Sequence, residues 1–218
     1  VAVRFGRACF QFDCPQEWAI DSDMRRWRGH VRSAHMAFED WFPPCHRSES
    51  ALRALLRDTT GPIGLDLEYN PDLSPTIIGL AFHENGKLVC GATSWNPYLA
   101  ADVVDSGRPL VAYSAFEADA GVLSGALNTP IANSRWVDAL QLHWMNNRDL
   151  MDVPRDEDQG TSLQLMGLWT AASIVLDVPN WKRCRGLACE GRFCRAHDAL
   201  GYCAMDAAAG LAIWRQYQ

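Results

Sequence analysis

Three strand-like runs follow one another between residues 63 and 93, and they constrain the fold more than any other feature of this chain. Ile63–Tyr69, Thr76–Phe82 and Leu88–Thr93 are apolar and strand-like, with turn-forming residues in Asn70–Pro75 and Glu84–Lys87. Connections this short join antiparallel neighbours, so the three runs predict a meander. The pattern then changes. Pro109–Tyr113 reads as a further strand followed by a helical stretch to about Leu127, and Trp136–Leu140 as a fifth strand running into a helix. The polar stretch "VPRDEDQGTS" leads into an apolar helix over Thr161–Leu176, and Ala199–Tyr217 is a second. Upstream, Ala51, Leu52, Leu55 and Leu56 fit one face of a short helix. A meander followed by alternating strands and helices implies an α/β domain with a mixed sheet flanked by helices.

The size of that core sets the domain plan. At 218 residues and 48% hydrophobic content, the chain supports one good core and a small appendage. Residues 1–41 carry Cys, His and Trp and read as the appendage, "FPPCHRSES" over 42–50 as a linker, and 51–218 as the main domain. No apolar run reaches membrane-spanning length and no signal-peptide pattern opens the chain, so no membrane partner is expected. The chain starts at Val1 rather than Met, which suits a piece of a larger polypeptide or of a replication or repair assembly. A net charge of −6 argues against a broadly basic surface. It leaves nucleic acid open as a partner, because local Arg clusters can grip phosphates among acids.

The first strand contains "DLEYN". Strand side chains alternate, so Asp66 and Glu68 point to the same side. Two like charges together are costly in an apolar setting unless a cation or water takes them up. Near the C-terminus, "YCAMDAAAGLAIW" puts Tyr202 and Asp206 four apart, on one face of a helix whose alanines permit close packing. Between them, "AYSAFEADAGVL" offers Glu117 and Asp119 just after a strand. An Asp-x-Glu strand, a mid-chain acid and a Tyr-x-x-x-Asp helix, in this order, resemble the DEDD superfamily of 3′-5′ exonucleases in its tyrosine-bearing branch. The flavour is that of the proofreading domains of family A and phage DNA polymerases. "LMGLWTAASIVLDVPNWK" resembles the segment before the third motif in phage members. The resemblance covers roughly residues 50–218.

The resemblance implies an RNase H-like fold and a phosphodiester hydrolase. Its chemistry uses two divalent metals about 4 Å apart, which clamp the scissile phosphate and activate a water. Mg²⁺ or Mn²⁺ suits an all-carboxylate site. Asp66, Glu68 and Asp206 would hold metal, with Tyr202 orienting the attacking water. Asp119 is chosen as the remaining acid because Asp, Gly and a packing Leu123 follow the family's phase, and Glu117, after Phe116, is the alternative. The usual Asn of that motif is missing; Tyr113 and Ser114 stand near its place. His197 is weighed as the base of the histidine branch. It lies nine residues before Asp206 rather than five, and Tyr202 holds the position four before, so the tyrosine branch is preferred. The implied substrate is nucleic acid, DNA favoured over RNA.

Two cysteine-histidine sets read as structural zinc sites. Cys9-x4-Cys14, fifteen residues, then His30-x4-His35 has the form of a two-cysteine, two-histidine finger, with cysteines on a hairpin and histidines on a helix. Arg25, Arg26, Arg28 and Arg32 beside it could touch phosphates. Cys184, Cys189, Cys194 and His197 form the second set. Cys45 and His46 are adjacent and could substitute in either, whereas Cys90 and Cys203 read as core. Zinc rather than disulfides implies a reducing, intracellular compartment, nucleus or cytoplasm.

Overall fold

A computed structural model of the chain describes residues 2–5, 8–11, 43–146, 167–176 and 195–218. At the N-terminus, β1 (Ala2–Phe5) and β2 (Ala8–Gln11) pair antiparallel as a hairpin. The main body runs β3 (Cys45–His46), α1 (Glu49–Asp58), β4 (Ile63–Tyr69), β5 (Pro75–Glu84), β6 (Lys87–Ser94), α2 (Pro97–Asp105), β7 (Leu110–Ala112), α3 (Asp119–Leu127), β8 (Trp136–Asp138) and α4 (Ala139–Asn146). Among the described residues two further helices follow, α5 (Leu168–Leu176) and α6 (Ala199–Gln216). Six strands form one sheet in the order β3-β6-β5-β4-β7-β8. The β4-β5-β6 meander is antiparallel, while β7 joins β4, β8 joins β7 and β3 joins β6 in parallel. The sheet is therefore mixed and helix-flanked, as the sequence predicts.

Local chemistry fixes the element ends. Asn85 and Gly86 take positive φ in the tight turn joining β5 to β6, a conformation that these two residue types tolerate best. Ser48 caps α1 by accepting from the Ala51 N–H, and Leu52 and Leu55 are the face it buries. The Asn96 side chain accepts from the Tyr98 and Leu99 N–H groups, and Pro97 opens α2 with its φ already set. Within the segment read as a linker, Cys45 and His46 pair with Cys90 and Gly91 at the sheet edge, and Glu49 begins α1.

Each face of the sheet has its own core. On one, Ile63, Leu65 and Leu67 of β4 meet Leu52, Leu99 and Leu123 from α1, α2 and α3. On the other, Ala81, Cys90 and Val111 meet α5 and the alanine-rich side of α6. Here α6 lies almost on the strands. A Cβ built on Gly64 would come within 2.5 Å of the Ala207 carbonyl oxygen, and one on Gly79 within 2.6 Å of that of Cys203. Glycine on the strands and alanine on the helix make this approach sterically possible. As the sequence suggests, Cys90 and Cys203 are core residues. Cys45 stands opposite Cys90 where β3 pairs with β6. Among the described residues no helix is long and apolar enough to cross a membrane.

Candidate active site

The alternation of β4 decides where its acids point. Ile63, Leu65 and Leu67 fill the core under α1–α3, so Gly64, Asp66 and Glu68 face the opposite way, toward α6. Asp66 lies opposite Gly79, whose own face is pressed against Cys203 of α6. The Cys203 thiol donates to the Asp66 carbonyl oxygen at 3.3 Å, tying helix to strand. Asp206 is one turn further along α6 and buried. Tyr202 lies one turn before Asp206, half-buried, on the same face.

Asp119 arrives by a different route. β4 and β7 stay in register only through Ile63–Leu110 and Gly64–Val111, and then part. The Leu67 N–H, beyond that point, donates to Asp119 Oδ1 at 3.0 Å. The first residue of α3 is thereby fixed beside the part of β4 that β7 does not pair, buried at 4% exposure. Glu117 is elsewhere. It is exposed and accepts from the Ser114 hydroxyl at 3.1 Å. The structure thus places Asp119, and not Glu117, beside the other acids.

Electrostatics show that the carboxylates share one neighbourhood. Burial pushes the Asp119 carboxyl up to about 7, and the charges of Asp206 and Glu68 push the same way. Burial likewise raises the Cys203 thiol, helped by Asp66, Glu68 and Asp206. The Tyr69 phenol is raised by burial first and then by Asp119, Asp66 and Glu68. One cation already reaches this group: Arg195 Nη2 donates to Glu68 Oε2 at 2.9 Å. Sequence reasoning missed it, since no local pattern links an arginine in the 195–197 turn to β4.

The donors are all carboxylate oxygens, which suits a hard divalent cation such as Mg²⁺ or Mn²⁺. Among the described residues no group of three or more His, Cys, Asp or Glu side chains is gathered closely enough to hold a metal ion. Mg²⁺ keeps several of its waters and needs few protein ligands, so carboxylates supplied one or two at a time suit it chemically.

The remaining predicted site residues are divided. Cys9 falls in β2, the second strand of a hairpin, while Cys14, His30, His35, Cys184, Cys189 and Cys194 lie outside the described residues. His197 is exposed in the turn just before α6.

In its fold the chain is similar to a solved exonuclease domain. The crystal structure of the Aedes aegypti Nibbler EXO domain superposes with a TM-score of 0.53 at 15% identity, over 83% of this chain and 88% of that one. The fold is RNase H-like. A crystal structure of the EXD2 exonuclease domain soaked in Mn covers 77% of this chain and 81% of that one at 19% identity, with a TM-score of 0.33. No protein-family model and no curated protein matches the sequence.

Proposed function

We propose that the chain is a metal-dependent 3′-5′ exonuclease of the tyrosine-bearing DEDD type, acting on nucleic acid, DNA in preference to RNA. One observation carries this reading: Asp66 and Glu68 on the α6-facing side of β4, with Asp206 on α6 and Asp119 docked on the Leu67 N–H, form one electrostatically coupled group of carboxylates. The shared fold with a domain named as an exonuclease supports it. Asp66, Glu68 and Asp206 would hold Mg²⁺ or Mn²⁺, with Asp119 completing the charge of the site. When bound, such ions supply Lewis acidity toward a phosphodiester and ease deprotonation of water. Tyr202 would orient the attacking water through its phenol, and the tight seat of α6 on Gly64 and Gly79 holds that residue and Asp206 in register with β4. The same reading takes in structural zinc at Cys9/Cys14/His30/His35 and at Cys184/Cys189/Cys194/His197, which elemental analysis of purified protein checks directly.

A second reading is a catalytically silent nucleic-acid-binding or assembly module on the same fold. The observation in its favour is Arg195, which engages Glu68 where a metal would otherwise compete. One assay separates the two. 5′-Labelled single- and double-stranded DNA and RNA are incubated with Mg²⁺ or Mn²⁺. A descending ladder from the 3′ end supports the exonuclease, while binding without cleavage supports the silent module.

A further inference from the structure

Asp66, Glu68, Asp119 and Asp206 are all acids, and a nucleic-acid phosphate brings further negative charge. Something cationic on the protein must balance the approach of substrate as well as the acids. Arg195 is a cation in direct contact with this group. Its guanidinium donates to Glu68 at 2.9 Å, yet its own side chain is 68% exposed while that of Glu68 is only 15% exposed. The acid is fixed in the sheet and the arginine has room to leave. Arg195 also sits in the turn that leads directly into α6, the helix carrying Tyr202 and Asp206, so it stays at the rim of the site whichever partner it holds.

We propose that Arg195 is the phosphate-gripping residue of this site, held on Glu68 until a divalent cation takes that carboxylate and frees the guanidinium for substrate. The inference rests on the metal-dependent reading above. Its chemistry is an exchange of partners in which no covalent bond changes. A divalent cation outcompetes a guanidinium for a carboxylate oxygen when neighbouring acids share the ion. The planar fork of arginine matches two oxygens of a phosphodiester as well as it matches a carboxylate. The partner released by Glu68 is then already next to the phosphate that the metal-filled acids attract.

This arrangement gives Arg195 opposite effects on the two ligands. Toward metal it is a competitor, so removing it should tighten Mn²⁺ binding. Toward nucleic acid it is a contact, so removing it should weaken binding. A purely structural ion pair, one that only pins the turn to β4, would lower thermal stability and produce neither change in that combination.

The test uses the full chain. Mn²⁺ affinity is read by isothermal titration or by electron paramagnetic resonance of the free ion. Affinity for a 3′-phosphorothioate oligonucleotide in saturating Mn²⁺ is read by fluorescence anisotropy. Arg195→Ala should bind Mn²⁺ about three- to ten-fold more tightly. It should bind the oligonucleotide roughly ten-fold more weakly. Arg195→Lys keeps the charge without the fork and should fall between. Arg195→Gln keeps length and polarity and replaces the alanine variant if circular dichroism shows that one misfolded. Unchanged or weakened Mn²⁺ binding in Arg195→Ala overturns the proposal, as does unchanged oligonucleotide affinity. The controls Glu68→Gln and Asp206→Asn make the two possible failures distinct. If neither weakens Mn²⁺ binding in the wild-type Arg195 background, the metal-site reading itself falls. If both do and Arg195→Ala changes nothing, only the role of Arg195 falls.

Discussion

Arg47 and Asp198 lie 151 positions apart and meet as a two-pronged ion pair, Nη1 and Nη2 of the arginine each donating to a carboxylate oxygen at 2.6 Å. Asp198 is the N-cap of α6. Its Oδ1 also accepts from the Gly201 N–H at 3.0 Å, and its side chain is 5% exposed. Arg47 follows directly on the edge strand β3, so a strand of two residues anchors the start of the helix that carries Tyr202 and Asp206. The pair joins segments that sequence proximity cannot join, and it joins them at the end of α6 nearest the candidate site.

Arg47→Ala should therefore destabilise the domain by about 2 kcal/mol, more than an exposed pair contributes and less than a fully buried one, since half of Arg47 is in solvent. Asp198→Asn retains a good capping side chain and should cost less than Asp198→Ala, which loses cap and charge together. Urea denaturation of the single and double variants gives the coupling energy, expected at about 1–3 kcal/mol. Strictly additive losses would show that the pair is ornamental.

Asp66→Ala, Glu68→Ala, Asp119→Ala and Asp206→Ala should each lower nuclease turnover by at least about 10³-fold while leaving the circular dichroism spectrum unchanged. Glu117→Ala should stay active, because Glu117 is exposed on Ser114 and outside the acid group. Near-normal cleavage by Asp66→Ala would defeat the active-site assignment. An inactive Glu117→Ala beside an active Asp119→Ala would reverse the choice of the fourth acid.

That choice shows where sequence reading reaches and where it stops. Asp66 and Glu68 were legible because period-two alternation fixes their common side, and Tyr202 with Asp206 because four residues make a helical turn. The three meander strands were legible from apolar runs broken by Asn70–Pro75 and Glu84–Lys87. The position of Asp119 beside β4 depends on the Leu67 N–H, which lies beyond the last β4–β7 pair, a consequence of sheet topology with no local trace. Helix α2 was missed although Asn96 and Pro97 are a start signal, since its nine residues include few polar positions to show a period. Strand β3 is too short to alternate. The Arg47–Asp198 and Arg195–Glu68 pairs are contacts between distant segments, and nothing in the neighbouring residues announces them.

Tyr202→Phe should be impaired but active, losing about 2–4 kcal/mol of transition-state stabilisation in kcat/KM, the scale of one positioned hydrogen-bond donor. Where zinc content and folding are preserved, His197→Ala should still turn over, as His197 is exposed in the turn before α6 while Tyr202 shares a face with Asp206. Loss of all turnover in His197→Ala with zinc content and folding preserved, and a normal Tyr202→Phe, would transfer the protein to the histidine branch.

The acid group also predicts a pH dependence of stability in the metal-free protein. Burial raises the Asp119 carboxyl from its ordinary 3.8 to about 7, with Asp206 and Glu68 adding to the effect. Between these two values the folded chain holds a proton that the unfolded chain has released. Folding stability therefore falls as pH rises through that window and levels off above about 7. Asp119→Asn carries no such proton and should lack this part of the slope. Compared in EDTA, its Tm should gain on the wild type from about pH 4 to about pH 8. Saturating Mn²⁺ should flatten the wild-type slope in the same way, because a cation favours the ionised carboxyl, and its binding near pH 6 should release protons into a weakly buffered solution. A Tm difference between the two proteins that stays constant across this range would mean that Asp119 is ionised throughout. The buried acids would then already be balanced by charge from the protein itself, and metal would have less to gain by entering.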